Sequence, residues 1–133
     1  MSEASEGVVR NGEATYRRRY VRVAVSFEAS YVVDGTDQAK AGETTDLGGG
    51  GIRLATHDDL PLGAVLMVSF KLPGTEREVV ARGRIVLSFY DAEAKRFFHG
   101  IAFTQISPQD QEEIISWVGD RVHRLALENE AAD

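Results

Sequence analysis

Four arginines fall within seven positions, Tyr16-Arg17-Arg18-Arg19-Tyr20-Val21-Arg22, of a chain whose formal net charge is −6. Guanidinium keeps its charge and offers a planar fork of donors, which matches phosphate and the acceptor edge of guanine. The chemistry open to this arm is bidentate recognition of an anion; the bland alternative is a charge run left in solvent. Tyr16 and Tyr20 flank the arginines, and their rings either stack on a nucleobase or pack the arm onto the rest of the protein.

A second stretch with unusual capacity is Asp46-Leu47-Gly48-Gly49-Gly50-Gly51. Successive glycines permit backbone angles that other residues resist and let a ligand approach the main chain, or they simply form a turn between two strands. A phosphate loop is excluded, because no Lys-Ser or Lys-Thr pair follows and Ile52 to Ala55 alternates like a strand. Catalytic constellations are missing as well. His57, His99 and His123 have no ligand at metal spacing, Asp58-Asp59 reads as a solvated pair, and there is no Gly-x-Ser-x-Gly elbow and no cysteine. No enzyme and no cofactor is expected. Phe97, Phe98 and Trp117 read as core rather than as stacking platforms.

The elements that must position these residues are mainly strands. Val23, Val25, Phe27, Ala29 and Tyr31 alternate with smaller or polar residues, so the arm leads into a first strand with one buried face. Asp34-Gly35 turns the chain, and Gln38 to Asp46 makes a second strand. Further strands are expected at Ile52 to Ala55, Val65 to Leu72, Glu78 to Phe89 with a bulge at Gly83, and Arg96 to Ile106. Ser107-Pro108-Gln109-Asp110 then starts a helix, with serine as the N-cap and proline at the first helical position. Ile114, Trp117, Val118, Val122 and Leu125 give this helix one apolar face. About six antiparallel strands without intervening helices imply a small barrel or sandwich that the amphipathic helix plugs or flanks.

One domain accounts for the length of 133 residues. The expected layout is a disordered tail over 1–15, a folded domain over 16–127 and a flexible acidic tail over 128–133. No apolar run is long enough to span a membrane and no signal peptide is evident, so the expectation is a cytoplasmic protein without membrane insertion. An acidic body bearing one basic arm favours a small anion over a nucleic-acid lattice.

The arm and the glycine turn together resemble the PilZ domain family, bacterial receptors for the second messenger cyclic di-GMP. The family's arginine motif, two arginines, three variable residues and a further arginine, falls on Arg17, Arg18 and Arg22. Its second motif, Asp or Asn with Ser two residues on and Gly three beyond that, falls on Asp46 and Gly51, with Gly48 in the serine place. Gly50-Gly51-Ile52-Arg53-Leu54 is similar to the family's third strand, and Gly100 to Phe103 followed by Ser107 to Asp110 is similar to its last strand and helix start. The resemblance covers about Ala14 to Arg121.

It implies a six-stranded antiparallel β-barrel with a C-terminal amphipathic helix, and a ligand held between the arm and the turn joining strands two and three. Arg18 and Arg22 would grip phosphate and the guanine acceptor edge, Asp46 would accept from guanine N1 and N2, and Gly51 would let the base come close. Arg17, Gly48 and Arg53 complete the expected ligand-binding set, and an arginine at the Arg17 place accompanies an intercalated ligand dimer. Glycine at position 48 lacks the hydroxyl, a loss of about 0.5 to 1.5 kcal/mol and up to about tenfold in affinity. The implied partners are cyclic di-GMP and a downstream protein in motility, biofilm or cell-surface regulation. The alternative is a degenerate module that contacts proteins without binding nucleotide.

Overall fold

The computed structural model describes residues 20–132; Tyr16, Arg17, Arg18, Arg19 and the 1–15 tail lie outside it. Alternation of apolar and polar residues becomes six strands: β1 (Arg22–Val33), β2 (Lys40–Gly48), β3 (Gly51–Thr56), β4 (Val65–Lys71), β5 (Glu78–Asp91) and β6 (Arg96–Gln105). One helix, α1 (Pro108–Ala132), follows. Every strand pair is antiparallel, and the order β1-β2-β3-β6-β5-β4 closes on itself through the pairing of Ala29 to Val33 with Leu66 to Phe70. Among the described residues the closed barrel leaves no sheet edge for a neighbouring chain to extend.

Inward residues of all six strands fill the core: Val23 and Tyr31 from β1, Leu47 from β2, Ile52 and Leu54 from β3, Leu66, Val68 and Phe70 from β4, Val79 and Ile85 from β5, and Ile101 from β6. The register slips at Gly83, as the sequence predicts, and a methyl group there would lie 2.5 Å from Ile101 Cγ2. A second slip, between Ile85 and Leu87, interrupts the alternation of β5 and leaves Val86 and Leu87 in succession on the surface. Bulges of this kind bend a strand and help a sheet to close.

The helix begins as expected. The backbone N–H of Asp110 donates to Ser107 Oγ at 3.0 Å, and the Asp110 carboxylate accepts from Arg77 at 2.7 Å, which ties the helix start to the β4–β5 turn. Ile114 and Val118 bury completely against the end of the barrel, and Trp117 Nε1 donates to the Pro73 carbonyl at 2.9 Å. The apolar face runs further than the barrel that receives it. Val122 and Leu125, expected to be packed, are 37% and 44% exposed. The helix continues to Ala132, so 128–132 is helical where a flexible tail is expected; Ala126, Leu127 and Glu128 are good helix formers and carry the turn pattern onward.

Candidate functional site

Strand pairing brings the two halves of the expected site together at one end of the barrel. Arg22 opens β1 and pairs across with Gly48, while Ala24 pairs with Asp46, and Asp46 in turn pairs with Arg53 on β3. The Asp46 carboxylate thus sits between two guanidinium groups: Oδ1 accepts from Arg22 Nη2, and Oδ2 lies 3.8 Å from Arg53 Nε. All three side chains are partly buried, with Asp46 23% exposed. Arg22 Nε and Arg53 Nε are buried without a hydrogen-bond acceptor among the described residues. Unused donors fixed beside a carboxylate are unusual in a finished structure, because a buried N–H without an acceptor costs about 1 to 3 kcal/mol.

These groups form the lip of a groove of about 360 Å³ lined by Tyr20, Arg22, Arg53, Gly51, Gly100 and Leu87, among others. Small residues that the register sets side by side line it: Gly51 lies opposite Ala102, and Gly100 opposite Arg53. A broader trough of about 800 Å³ continues from the same arginines past Asp46 to Phe89, Asp91 and Phe98. The Phe89 and Phe98 rings stack at 5.5 Å with 14° between their planes, and the Arg96 guanidinium lies 5.7 Å from the Phe98 centroid. Phe98 is therefore not core, as its sequence context suggests, but half-buried on the outer surface. Its parity explains this: it alternates with His99 and Ile101, both buried, and shares its side with Gly100 and Ala102.

The four glycines form the turn between β2 and β3, one of the two readings their run allowed, without the unusual backbone angles it permits. None adopts a positive φ; the glycines that do are Gly35, Gly63 and Gly74 in other turns. What they provide is room for protein atoms. A methyl group at Gly51 would come within 2.3 Å of the Ile101 carbonyl oxygen, so strand packing, rather than approach of a base, excludes a side chain there. At Gly48 the added group would meet Arg22 Cγ and the Val21 carbonyl oxygen, each at 2.8 Å, so the end of the arm lies directly on the position where the motif has serine. At Gly49 and Gly50 it would meet the Tyr20 ring at 3.0 and 2.9 Å, and at Gly49 also Ile115 Cγ1 at 2.7 Å. Tyr20 accordingly packs on the turn while lining the groove. Both turn carbonyls are held too, Gly49 by Gln111 Nε2 and Gly50 by Phe103 N–H, each at 2.9 Å.

His99 is buried, with its Nε2 3.1 Å from the Asp58 carbonyl oxygen and its Nδ1 3.0 Å from Ser88 Oγ, whose hydroxyl donates to the Leu60 carbonyl at 3.1 Å. Burial holds its pKa below the ordinary histidine value, so the neutral ring is favoured. Nearby, Tyr31 donates to the Asp58 carboxylate at 2.5 Å; burial and that carboxylate raise the phenol's pKa, and the phenol's hydrogen bond in turn lowers that of Asp58. No group of His, Asp and Glu side chains able to hold a metal occurs among the described residues.

The family model described as PilZ domain matches residues 16–120. The chain belongs to the PilZ family. Solved structures agree with this fold. The Bacillus subtilis inhibitor of motility, MotI/DgrA, superposes with a TM-score of 0.72 at 19% identity over 83% of this chain and 53% of that one. YcgR of Escherichia coli, solved in complex with c-di-GMP, gives 0.68 at 13% identity over 88% and 51%. The PilZ domain of CeSA, from a cellulose-synthesizing bacterium, gives 0.57 at 17% identity over 77% and 99%. The chain thus spans about half the length of the first and second of these and nearly all of the third. No curated sequence matches closely enough to add to this. Of the expected ligand-binding residues, Arg22, Asp46, Gly48, Gly51 and Arg53 converge at one end of the barrel, and Arg17 and Arg18 fall outside the described residues. Val86, Leu87, Phe89, Gly100 and Ala102 are among the lining residues that sequence reasoning missed. Outward parity beside a glycine in β6 was the signal that could have found Phe98 and Gly100.

Proposed function

We propose that this PilZ domain is a non-catalytic cyclic di-GMP receptor that passes the signal to a protein partner. The observation that carries the reading is the Asp46 carboxylate set between Arg22 and Arg53, with two unused guanidinium N–H donors, at the lip of a groove lined in part by glycine and alanine. Guanine offers complementary chemistry: N1–H and the N2 amino group donate to a carboxylate, while O6 and N7 accept from arginine. Asp46 keeps lone pairs available while bonded to Arg22, so recognition does not require the resting ion pair to be abandoned. Phe98 and Phe89 supply an aromatic face for a second base, and Arg17 and Arg18 supply further charge for the phosphates of a stacked ligand dimer. The E. coli relative crystallised with c-di-GMP supports the ligand class. The motility inhibitor of B. subtilis supports a downstream role in motility.

Titration calorimetry with cyclic di-GMP tests this. Saturable heat is expected from the wild type and not from Arg22→Ala or Arg18→Ala; wild-type protein that gives no heat at tens of micromolar, a range weak enough to reveal even a tenfold loss from the missing serine, ends the proposal.

One observation favours a second reading. The Arg22 stem occupies the space above Gly48 and its guanidinium is already paired, an arrangement that also suits a module closed to nucleotide and used for protein contact alone. Capture of a partner that neither cyclic di-GMP nor Arg22→Ala alters would select that reading.

A further inference from the structure

The stripe that seats α1 on the barrel, Ile114 and Val118, continues past the barrel as Val122, Leu125 and Asn129, and there it faces no other part of the described chain closely enough to be buried. From Val118 the spacing is four, three and four, which places Val118 and Leu125 at d and Val122 and Asn129 at a of a heptad. A seam of this type is made for another helix. Two observations identify the occupant as a second copy of the same overhang. First, the helix carries Glu128 and Glu130 at its C-terminal end and no basic residue in the last turn, so acidic side chains add to the negative end of the helix dipole. Second, Arg121 lies about two turns before Glu128 on the flank of the same seam, stacked at 5.6 Å on Trp117, with a buried Nε that has no hydrogen-bond acceptor among the described residues.

These features complement each other only when the helix meets itself antiparallel. In an antiparallel pair Val122 packs against Leu125 of the second copy, and the two g positions, Arg121 and Glu128, face each other across the seam twice by symmetry. A parallel pair would bring both acidic ends together. We propose that this PilZ chain self-associates through an antiparallel clasp of the two α1 overhangs. A contact confined to about three helical turns falls at or below the small end of specific interfaces, so the dimer is weak and forms in the micromolar range. It does not depend on nucleotide binding, and its failure or success is read separately from the calorimetry above.

Sedimentation equilibrium of the full chain at increasing micromolar concentrations is the test. The apparent mass should rise from 14.6 kDa toward twice that value. Val122→Glu with Leu125→Lys should hold the protein at the monomer mass with an unchanged thermal melt, since both side chains are exposed in the protomer. Arg121→Glu should weaken association about tenfold, the effect of losing two exposed ion pairs, and adding Glu128→Arg should restore it. A wild-type mass fixed at the monomer overturns the proposal, including the case in which this face takes a different protein. So does a dimer that survives Val122→Glu with Leu125→Lys, and so does failure of the double charge reversal to restore association.

Discussion

Two polar clusters sit on the same barrel and invite opposite conclusions from those their residue types suggest. The cluster around His99 combines histidine, serine, tyrosine and aspartate, the side chains from which hydrolases are assembled, yet it is closed. His99 Nε2 is hydrogen-bonded with the Asp58 carbonyl and Nδ1 with Ser88, and Tyr31 and Lys40 both reach the Asp58 carboxylate, with Lys40 at 3.2 Å. Arg22, Asp46 and Arg53 include no histidine and no hydroxyl, and that cluster is open: two guanidinium nitrogens lack acceptors among the described residues and a groove begins beside them. Unspent hydrogen-bonding capacity next to a cavity marks a binding site better than residue identity does.

The contrast is breakable by experiment. His99→Ala should have the largest effect, because it removes a buried ring together with its hydrogen bonds to the Asp58 carbonyl and Ser88. A loss of about 3 kcal/mol in denaturant unfolding is expected, with cyclic di-GMP affinity in the folded fraction changed by less than about twofold. Loss of binding in a variant that still folds would mean that the closed cluster is functional after all. Asp46→Ala should do the reverse, weakening the ligand about 10- to 100-fold in calorimetry. Its unfolding free energy should shift by no more than about 1 kcal/mol, as for other partly exposed ion pairs.

The closed cluster also sets a pH dependence. His99 is held neutral, with its folded-state pKa below the unfolded value of 6.5, so its contribution to stability is fully present above that pH and declines as pH falls below it. Melting temperature should drop on acidification from pH 7 to 5 in the wild type, and the drop should be shallower in His99→Gln. The smallest effect expected is that of Gly48→Ser. Its Cβ meets the Val21 carbonyl, so the end of the arm must shift at a cost of about 1 kcal/mol, visible as a lower melt. An unchanged melt would show that the open cluster owes nothing of its shape to that glycine.

Much of this barrel is written in the sequence. Val23 to Tyr31 alternate because one face is buried, Gly83 breaks the alternation of β5, and Ser107 ahead of Pro108 starts the helix where it should. The convergence of Arg22 with Asp46 and Arg53 could be expected from the PilZ resemblance alone, since no local pattern states that β1 and β3 flank β2. Less was legible where tertiary geometry decides. The second slip near Val86 leaves no glycine as a marker, so the groove's far wall was invisible. The reach of α1 beyond the barrel depends on the barrel's width, which periodicity does not encode: Val118 and Leu125 occupy equivalent places in one stripe and have opposite exposure. The glycine run showed that side chains were unwelcome without showing that Tyr20, Ile115 and the Ile101 carbonyl were the reason.

The ties at the two ends of the docked part of α1 bear on how the molecule assembles. Gln111 holds the Gly49 carbonyl in the β2–β3 turn, and Trp117 and Asp110 hold the β4–β5 turn through Pro73 and Arg77. A helix fastened to two turns that are distant in sequence cannot settle until both hairpins exist, so its docking belongs to the late, entropically expensive part of folding. Trp117, the chain's single tryptophan, sits at that final contact. In stopped-flow refolding its fluorescence should lag the far-ultraviolet signal of the strands, making one native side chain the clock for barrel completion.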